Sequence, residues 1–318
     1  MLTQICVRSR RAPVELHIAY AITKLNIAIR IILTQNPNSD IDIAIIIIVI
    51  EGETAMTRKT TTTVAAIAAA VALSAAIPAS AADIIPQNPS VRNVVLVHGA
   101  FADGSGWKGV YDILTKRGYR VTIVQNPLTS LADDVAATKR ALERQDGPAI
   151  LVGHSWGGTV ITEAGVDAKV AGLVYVSALS PDAGETTAQQ YEGFAPASEF
   201  VIETTKDGFA YVSPEKFKAG FAHDVSDADV AFMRDAQVPI NMSAFDTKLE
   251  NAAWRTKPSW AVIATEDKAF DQAMLIHMAE RIKAKVTKVS ASHALFMTQP
   301  KVVADTIDEA AKAVSAKK

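Results

Sequence analysis

The sequence predicts an α/β fold: a doubly wound, mostly parallel sheet with a small, mainly helical cap inserted after the fourth core strand. Three observations predict it. Strand-like and helix-like segments alternate from Arg92 to the C-terminus, the alternation breaks once over residues 181–257, and a Gly-x-Ser-x-Gly pentapeptide stands at one strand-to-helix junction. Repeated β-α units lay their strands parallel through right-handed crossovers. A single break between two such units reads as an insertion into one domain.

The elements follow in order. Asn93–Val97 is a short β-branched run of the kind buried on both faces of a sheet. A helical pattern over Trp107–Lys116 stops at Gly118, and Arg120–Val124 reads as the second strand. Leu131–Arg144 is an amphipathic helix introduced by Ser130, a residue type favoured at helix N-caps. Ala149–Val152 is the third strand, Gly157–Gly165 a helix and Val170–Val176 the fourth strand. The cap, about 181–257, is polar and dotted with aromatics, with short helical pieces near Pro214–Ala222 and Ala228–Ala236. Alternation then resumes with strand Trp260–Ala264, helix Phe270–Ala284, strand Val286–Val289 and helix Pro300–Ala316.

The 318 residues are 49% hydrophobic and 21% charged, enough apolar material for a sizeable core. A net charge of −2 and the lack of a basic stripe argue against a nucleic-acid partner. The single cysteine, Cys6, excludes an internal disulfide framework, and no Cys/His cluster has zinc spacing. Residues 56–81 have the three-part layout of a secretory signal peptide: Arg58 and Lys59, then an Ala/Val/Ile run, then Pro78 and the small residues Ala79-Ser80-Ala81. Cleavage after Ala81 and an exported, periplasmic or secreted, mature chain are expected. Residues 1–55 read as an over-extended N-terminus with no assigned fold, a membrane anchor being the alternative. Their apolar burst, Ile43–Ile50, is shorter than the roughly 20 residues a membrane span needs, and Arg10-Arg11 lacks the apolar region that a twin-arginine signal requires. Residues 82–318 carry 25 Lys+Arg against 29 Asp+Glu and no cysteine, and no stable membrane association is expected of them.

Gly153-His154-Ser155-Trp156-Gly157 follows a predicted strand and opens a predicted helix, which is the setting of a nucleophile elbow. A serine hydroxyl is a poor nucleophile until a base takes its proton. Of six histidines, His17 lies upstream of the mature chain, His98 belongs to another loop, His154 adjoins the serine, His223 is in the cap and His277 is mid-helix. His293, just after the last strand, remains as the base, and the order Ser, acid, His agrees. The acid that orients the imidazole should follow strand Trp260–Ala264. Asp267 is preferred there, with Glu266 as the alternative and Asp271 as a helix-start residue. A tetrahedral oxyanion needs preorganised donors, here the backbone N–H groups of Trp156 and Ala100. Phe101, Trp156, Phe296 and Met297 are candidates for an apolar substrate pocket. No metal or other cofactor is expected.

The segments LVHGAFADGSGW, LVGHSWGG, ATEDKAF and SHALFMTQP resemble the α/β-hydrolase superfamily. More narrowly, they are similar to its small capped branch of plant methyl-ester esterases, hydroxynitrile lyases and bacterial serine esterases. The resemblance spans nearly all of residues 92–316 and is weakest in the cap. It implies cofactor-free hydrolysis of a small-molecule ester through an acyl-enzyme on Ser155, favours Asp267 over Glu266, and supports Ala100 and Trp156 as oxyanion donors. Hydroxynitrile lyases of this branch carry a threonine in the oxyanion loop and a lysine after the base, where this chain has Gly99 and Ala294. Lactonase or related chemistry with the same triad, and a low-turnover ligand-binding receptor, are the alternatives.

Overall fold

The computed structural model describes residues 27–35, 42–50 and 91–316. The chain divides into two compact units, residues 1–82 and 83–318. In the first, β1 (Ile27–Gln35) and β2 (Asp42–Ile50) pair antiparallel with Ile27 opposite Ile50. No element was assigned to this stretch from the sequence, yet its isoleucine-rich runs are strand formers. The proposed signal segment 56–81 lies outside the described residues.

The second unit holds a six-stranded, fully parallel sheet. Its strands are β3 (Asn93–Val97), β4 (Arg120–Val124), β5 (Ala149–His154), β6 (Val170–Val176), β10 (Ser259–Ala264) and β11 (Lys285–Val289). They lie in the order β11-β10-β6-β5-β3-β4. The inner strands β3, β5 and β10 are buried along their whole length, as their unbroken apolar runs require. The two edge strands are partly exposed and carry Arg120 on one side and Lys285 and Lys288 on the other, charges that discourage edge-to-edge pairing.

The helices that follow the strands of this sheet are α1 (Lys108–Lys116), α2 (Leu131–Glu143), α3 (Gly157–Ala164), α6 (Gln272–Arg281), α7 (Leu295–Thr298) and α8 (Pro300–Ser315). α1 packs with α8, and α2 with α3. α8 buries Val303, Ala304, Ile307, Ala310, Ala311 and Val314, the stripe expected of an amphipathic helix, and Pro300 opens it where a missing N–H costs nothing. Ser130 accepts the Asp133 amide at 3.1 Å, as an N-cap should. Asp271 caps α6 by accepting from Ala273 and Met274, the helix-start role expected of it.

The insertion between β6 and β10 contains α4 (Phe217–Phe221) and α5 (Asp227–Asp235), near the expected positions. It also holds a three-stranded antiparallel sheet not expected from the sequence: β7 (Ile202–Thr204), β8 (Phe209–Val212) and β9 (Ile240–Asn241), in the order β7-β8-β9. The two ends of the insertion meet. The Gly184 amide donates to Leu249 O at 2.8 Å and the Leu249 amide to Glu185 O at 2.9 Å.

Candidate active site

Ser155 stands where β5 turns into α3, with φ at +54°. That left-handed backbone is strained for a residue with a side chain. The turn closes because its flanking glycines have no side chains: a Cβ at Gly153 would collide with the Gly157 carbonyl, and one at Gly157 with the Val97 carbonyl. The Ser155 carbonyl accepts the amides of Gly158 at 2.9 Å and Leu179 at 3.2 Å, which locks the turn against α3 and the end of β6. Ser155 retains 8% exposure.

His293 lies in the loop between β11 and α7, on the same rim. Its Nδ1–H donates to Asp267 Oδ2 at 2.7 Å, and both side chains are buried. The other oxygen, Asp267 Oδ1, accepts the amides of Ala269 at 2.8 Å and Phe270 at 3.0 Å. The carboxylate is therefore held by its own loop and aimed at the imidazole, which fixes the ring and its tautomer. Glu266 turns the other way, and its carboxylate accepts the Ser290 hydroxyl. Between the two acidic residues weighed from the sequence, the geometry selects Asp267. His293 Nε2 is left for an incoming group, and Ser155 Oγ forms no hydrogen bond with it in this structure. Such contacts are often long before substrate arrives.

His154 joins the two halves of the site. Its ring centroid is 4.6 Å from that of His293, and its Nε2–H donates to the His293 carbonyl at 3.0 Å. Burial, and next the neighbouring His293, hold its pKa well below the usual imidazole range, so it acts as a neutral packing and anchoring group. Phe221 and Phe270 meet the His293 ring edge-on, at 5.1 and 4.8 Å between centroids. A dry wall of this kind strengthens electrostatic interactions inside it. The packing role of His154 agrees with its place beside the serine in the pentapeptide, whereas the contacts of Phe221 and Phe270 with His293 left no spacing signal in the sequence.

Ala100 and Phe101 lie in the loop after β3. Neither the Ala100 nor the Trp156 amide is engaged by another described residue. Phe101 has φ +63°. Together with Phe296, Phe232 and Met233 it lines a small pocket between the core and the cap. Two pocket residues expected from the sequence are placed otherwise. The Trp156 indole is wholly buried, donates to Asp134 Oδ2 at 2.7 Å and stacks on Phe245 at 4.9 Å. An indole N–H in a dry interior needs an acceptor, and meeting that need draws the ring toward α2, away from Phe101 and Phe296. Met297 is half-buried against the core and is not part of that pocket's lining.

A serine elbow at the carboxyl edge of a doubly wound sheet is the working end of a class of hydrolases. The chain belongs to the alpha/beta hydrolase family, whose model matches residues 94–306. It is 24% identical over 242 residues to the alpha/beta hydrolase nvfD of Aspergillus novofumigatus, covering 69% of this chain and 96% of that protein. It is 34% identical over 112 residues to a carbendazim hydrolyzing esterase of a Nocardioides species, covering 30% of this chain and 46% of that one. The crystal structure of the pyrethroid hydrolase PytH superposes with a TM-score of 0.62 at 23% identity, covering 70% of this chain and 98% of that one.

Proposed function

We propose that the chain hydrolyses carboxylic esters of small molecules through an acyl-enzyme on Ser155. The observation that carries this reading is the buried 2.7 Å pair of His293 Nδ1 and Asp267 Oδ2 on the rim that bears the strained serine. In the proposed cycle Ser155 Oγ attacks the ester carbonyl carbon while His293 Nε2 takes its proton. The oxyanion is received by the amides of Ala100 and Trp156. Collapse breaks the bond to the alkoxy group, which leaves as the alcohol with the proton from His293. Water, deprotonated by the same imidazole, then attacks the acyl carbon, and the carboxylic acid departs as Ser155 regains its proton. The ester-cleaving relatives support the reaction class.

Hydrolysis of p-nitrophenyl acetate and butyrate tests the reading. Activity that is lost in Ser155→Ala, with an unchanged melting transition, is expected. A wild type inert toward short-chain esters, or a Ser155→Ala variant as active as wild type, would overturn it. We also propose export, with the mature chain starting near Ala81; the compact unit beginning at Asp83 supports that boundary. N-terminal sequencing of the exported protein tests it.

A further inference from the structure

One carboxylate next to the elbow has no part in the chemistry above. Asp134, on α2, is completely buried. Its Oδ2 accepts the Trp156 indole N–H at 2.7 Å, and its Oδ1 accepts the Leu128 amide at 2.8 Å. Leu128 has φ +59°, and its carbonyl accepts the Asn241 amide of β9 at 2.9 Å. Two residues earlier, Asn126 donates its amide to His98 Nε2 and its side-chain Nδ2–H to His98 O, both at 2.9 Å. His98 Nδ1–H in turn donates to Gly99 O at 2.9 Å. Hydrogen bonds at either end of the 126–128 backbone therefore link Trp156, through Asp134, to the residues just ahead of Ala100.

We propose that Asp134 is a positioning residue for ester hydrolysis, its carboxylate holding the amides of Trp156 and Ala100 in the mutual geometry that an oxyanion requires. The proposal rests on the acyl-enzyme reading. Oxyanion donors work only when aimed at the point where charge develops, and small displacements are costly to rate. A rigid indole tied at its far end fixes the backbone that bears it. The left-handed Leu128 persists only where its surroundings enforce it, and Asp134 and Asn241 clamp it from both sides. A carboxylate that merely filled space here could be exchanged for apolar atoms without loss. Burial pushes the Asp134 carboxyl up to about 6, against the pull of its Trp156 and Leu128 donors, and Asp133 next along the helix adds to the rise.

The test measures kcat and KM for p-nitrophenyl butyrate, per active site counted by fluorophosphonate labelling, in wild type, Asp134→Asn, Trp156→Phe and the double variant. Asn places an N–H against one of the two donors, and Phe keeps a ring on Phe245 without the indole N–H. In Asp134→Asn, kcat per labelled site should fall about 10- to 100-fold, with KM changed less than about threefold. Trp156→Phe should show a smaller fall of the same kind, and the double variant should be no slower than Asp134→Asn alone. Single variants that melt earlier yet keep kcat per site within about twofold, or losses that multiply in the double variant, would overturn the proposal. If Asp134→Asn does not fold, Trp156→Phe decides by the same kcat criterion. A wild type that takes no label at Ser155 would overturn the acyl-enzyme reading and the proposal with it. A labelled, active wild type with unaffected variants would overturn the positioning role alone.

Discussion

The backbone amide of Ser292 donates to Asp224 Oδ2 at 3.1 Å, across the boundary between core and cap. The same oxygen accepts the Thr298 hydroxyl at 2.9 Å. On the other side of His293, the Ala294 amide donates to Phe221 O at 3.2 Å. His223 Nε2–H donates to the carbonyl of Glu266, next to Asp267, at 3.0 Å. A four-residue cap segment, 221–224, thus grips the loops of both His293 and Asp267.

Loosening that grip should slow the reaction with little effect on the fold. Asp224→Ala is expected to cost about 1 kcal/mol of stability and to lower kcat/KM about 5- to 20-fold through a mobile base. Asp224→Asn, which keeps an acceptor, should recover most of the loss. Steady-state kinetics beside thermal melting separates the two effects.

Removal of the acid should be far more severe. Asp267→Asn puts an amide N–H against Nδ1 and favours the wrong imidazole tautomer, so kcat should fall by about 10³–10⁴. The backbone donors of Ala269 and Phe270 still find one oxygen, so the variant should remain folded. Ester turnover and circular dichroism check the two statements.

Stability should decline on the acid side of neutrality. His98 and His154 are held below their ordinary pKa chiefly by burial. The folded state therefore binds fewer protons at these sites than the unfolded chain. Their contribution is complete above about 6.5 and is lost as the pH falls below it, by up to about 1.4 kcal/mol per pH unit for each group. Asp134 has the opposite sign. With its carboxyl raised to about 6, the folded state binds more protons there than the unfolded chain between about 4 and 6, and stability rises as the pH falls through that window. Asp134→Asn removes this compensation, so its denaturation midpoint should drop more steeply than wild type from pH 6 to 4. Equal slopes in urea titrations across that range would contradict the assignment.

Phe232 is 61% exposed on the cap side of the pocket it lines with Phe101 and Phe296. Phe232→Ala should leave the melting temperature nearly unchanged, within about 0.5 kcal/mol of stability. It should alter KM for longer acyl chains more than for acetate, since each methylene in an apolar pocket is worth about 1 kcal/mol or more. A series of p-nitrophenyl esters from acetate to octanoate reads this directly.

Much of this architecture was legible because buried parallel strands announce themselves. Asn93–Val97, Arg120–Val124 and Val170–Val176 have the bounds their apolar runs indicate, and the pentapeptide at 153–157 could be placed by its flanking elements. The cap sheet was missed for a physical reason: Ile202–Thr204 is wholly exposed and three residues long, too short for an alternating pattern. One signal was present, the Asp207-Gly208 pair, where Gly208 has φ +86° in the tight turn between β7 and β8. Trp156 teaches a different lesson. Its position in the motif fixes where its amide lies, whereas its ring follows the nearest buried acceptor. Asp134 also left a trace, since it shares a stripe with Leu131, Val135, Thr138 and Leu142 on the buried face of α2, and a carboxylate among such neighbours needs partners.

Segment 221–224 ties the cap to the core loops. An insertion whose ends bond to each other through Gly184, Glu185 and Leu249 has the look of an exchangeable module. Here the module also supplies the acceptors that seat the imidazole loop, so a grafted lid from another hydrolase would leave Ser292 and Ala294 without theirs. Single substitutions that line the pocket leave these bonds in place, whereas wholesale lid replacement costs them unless the graft brings a carbonyl and a carboxylate to those same two amides.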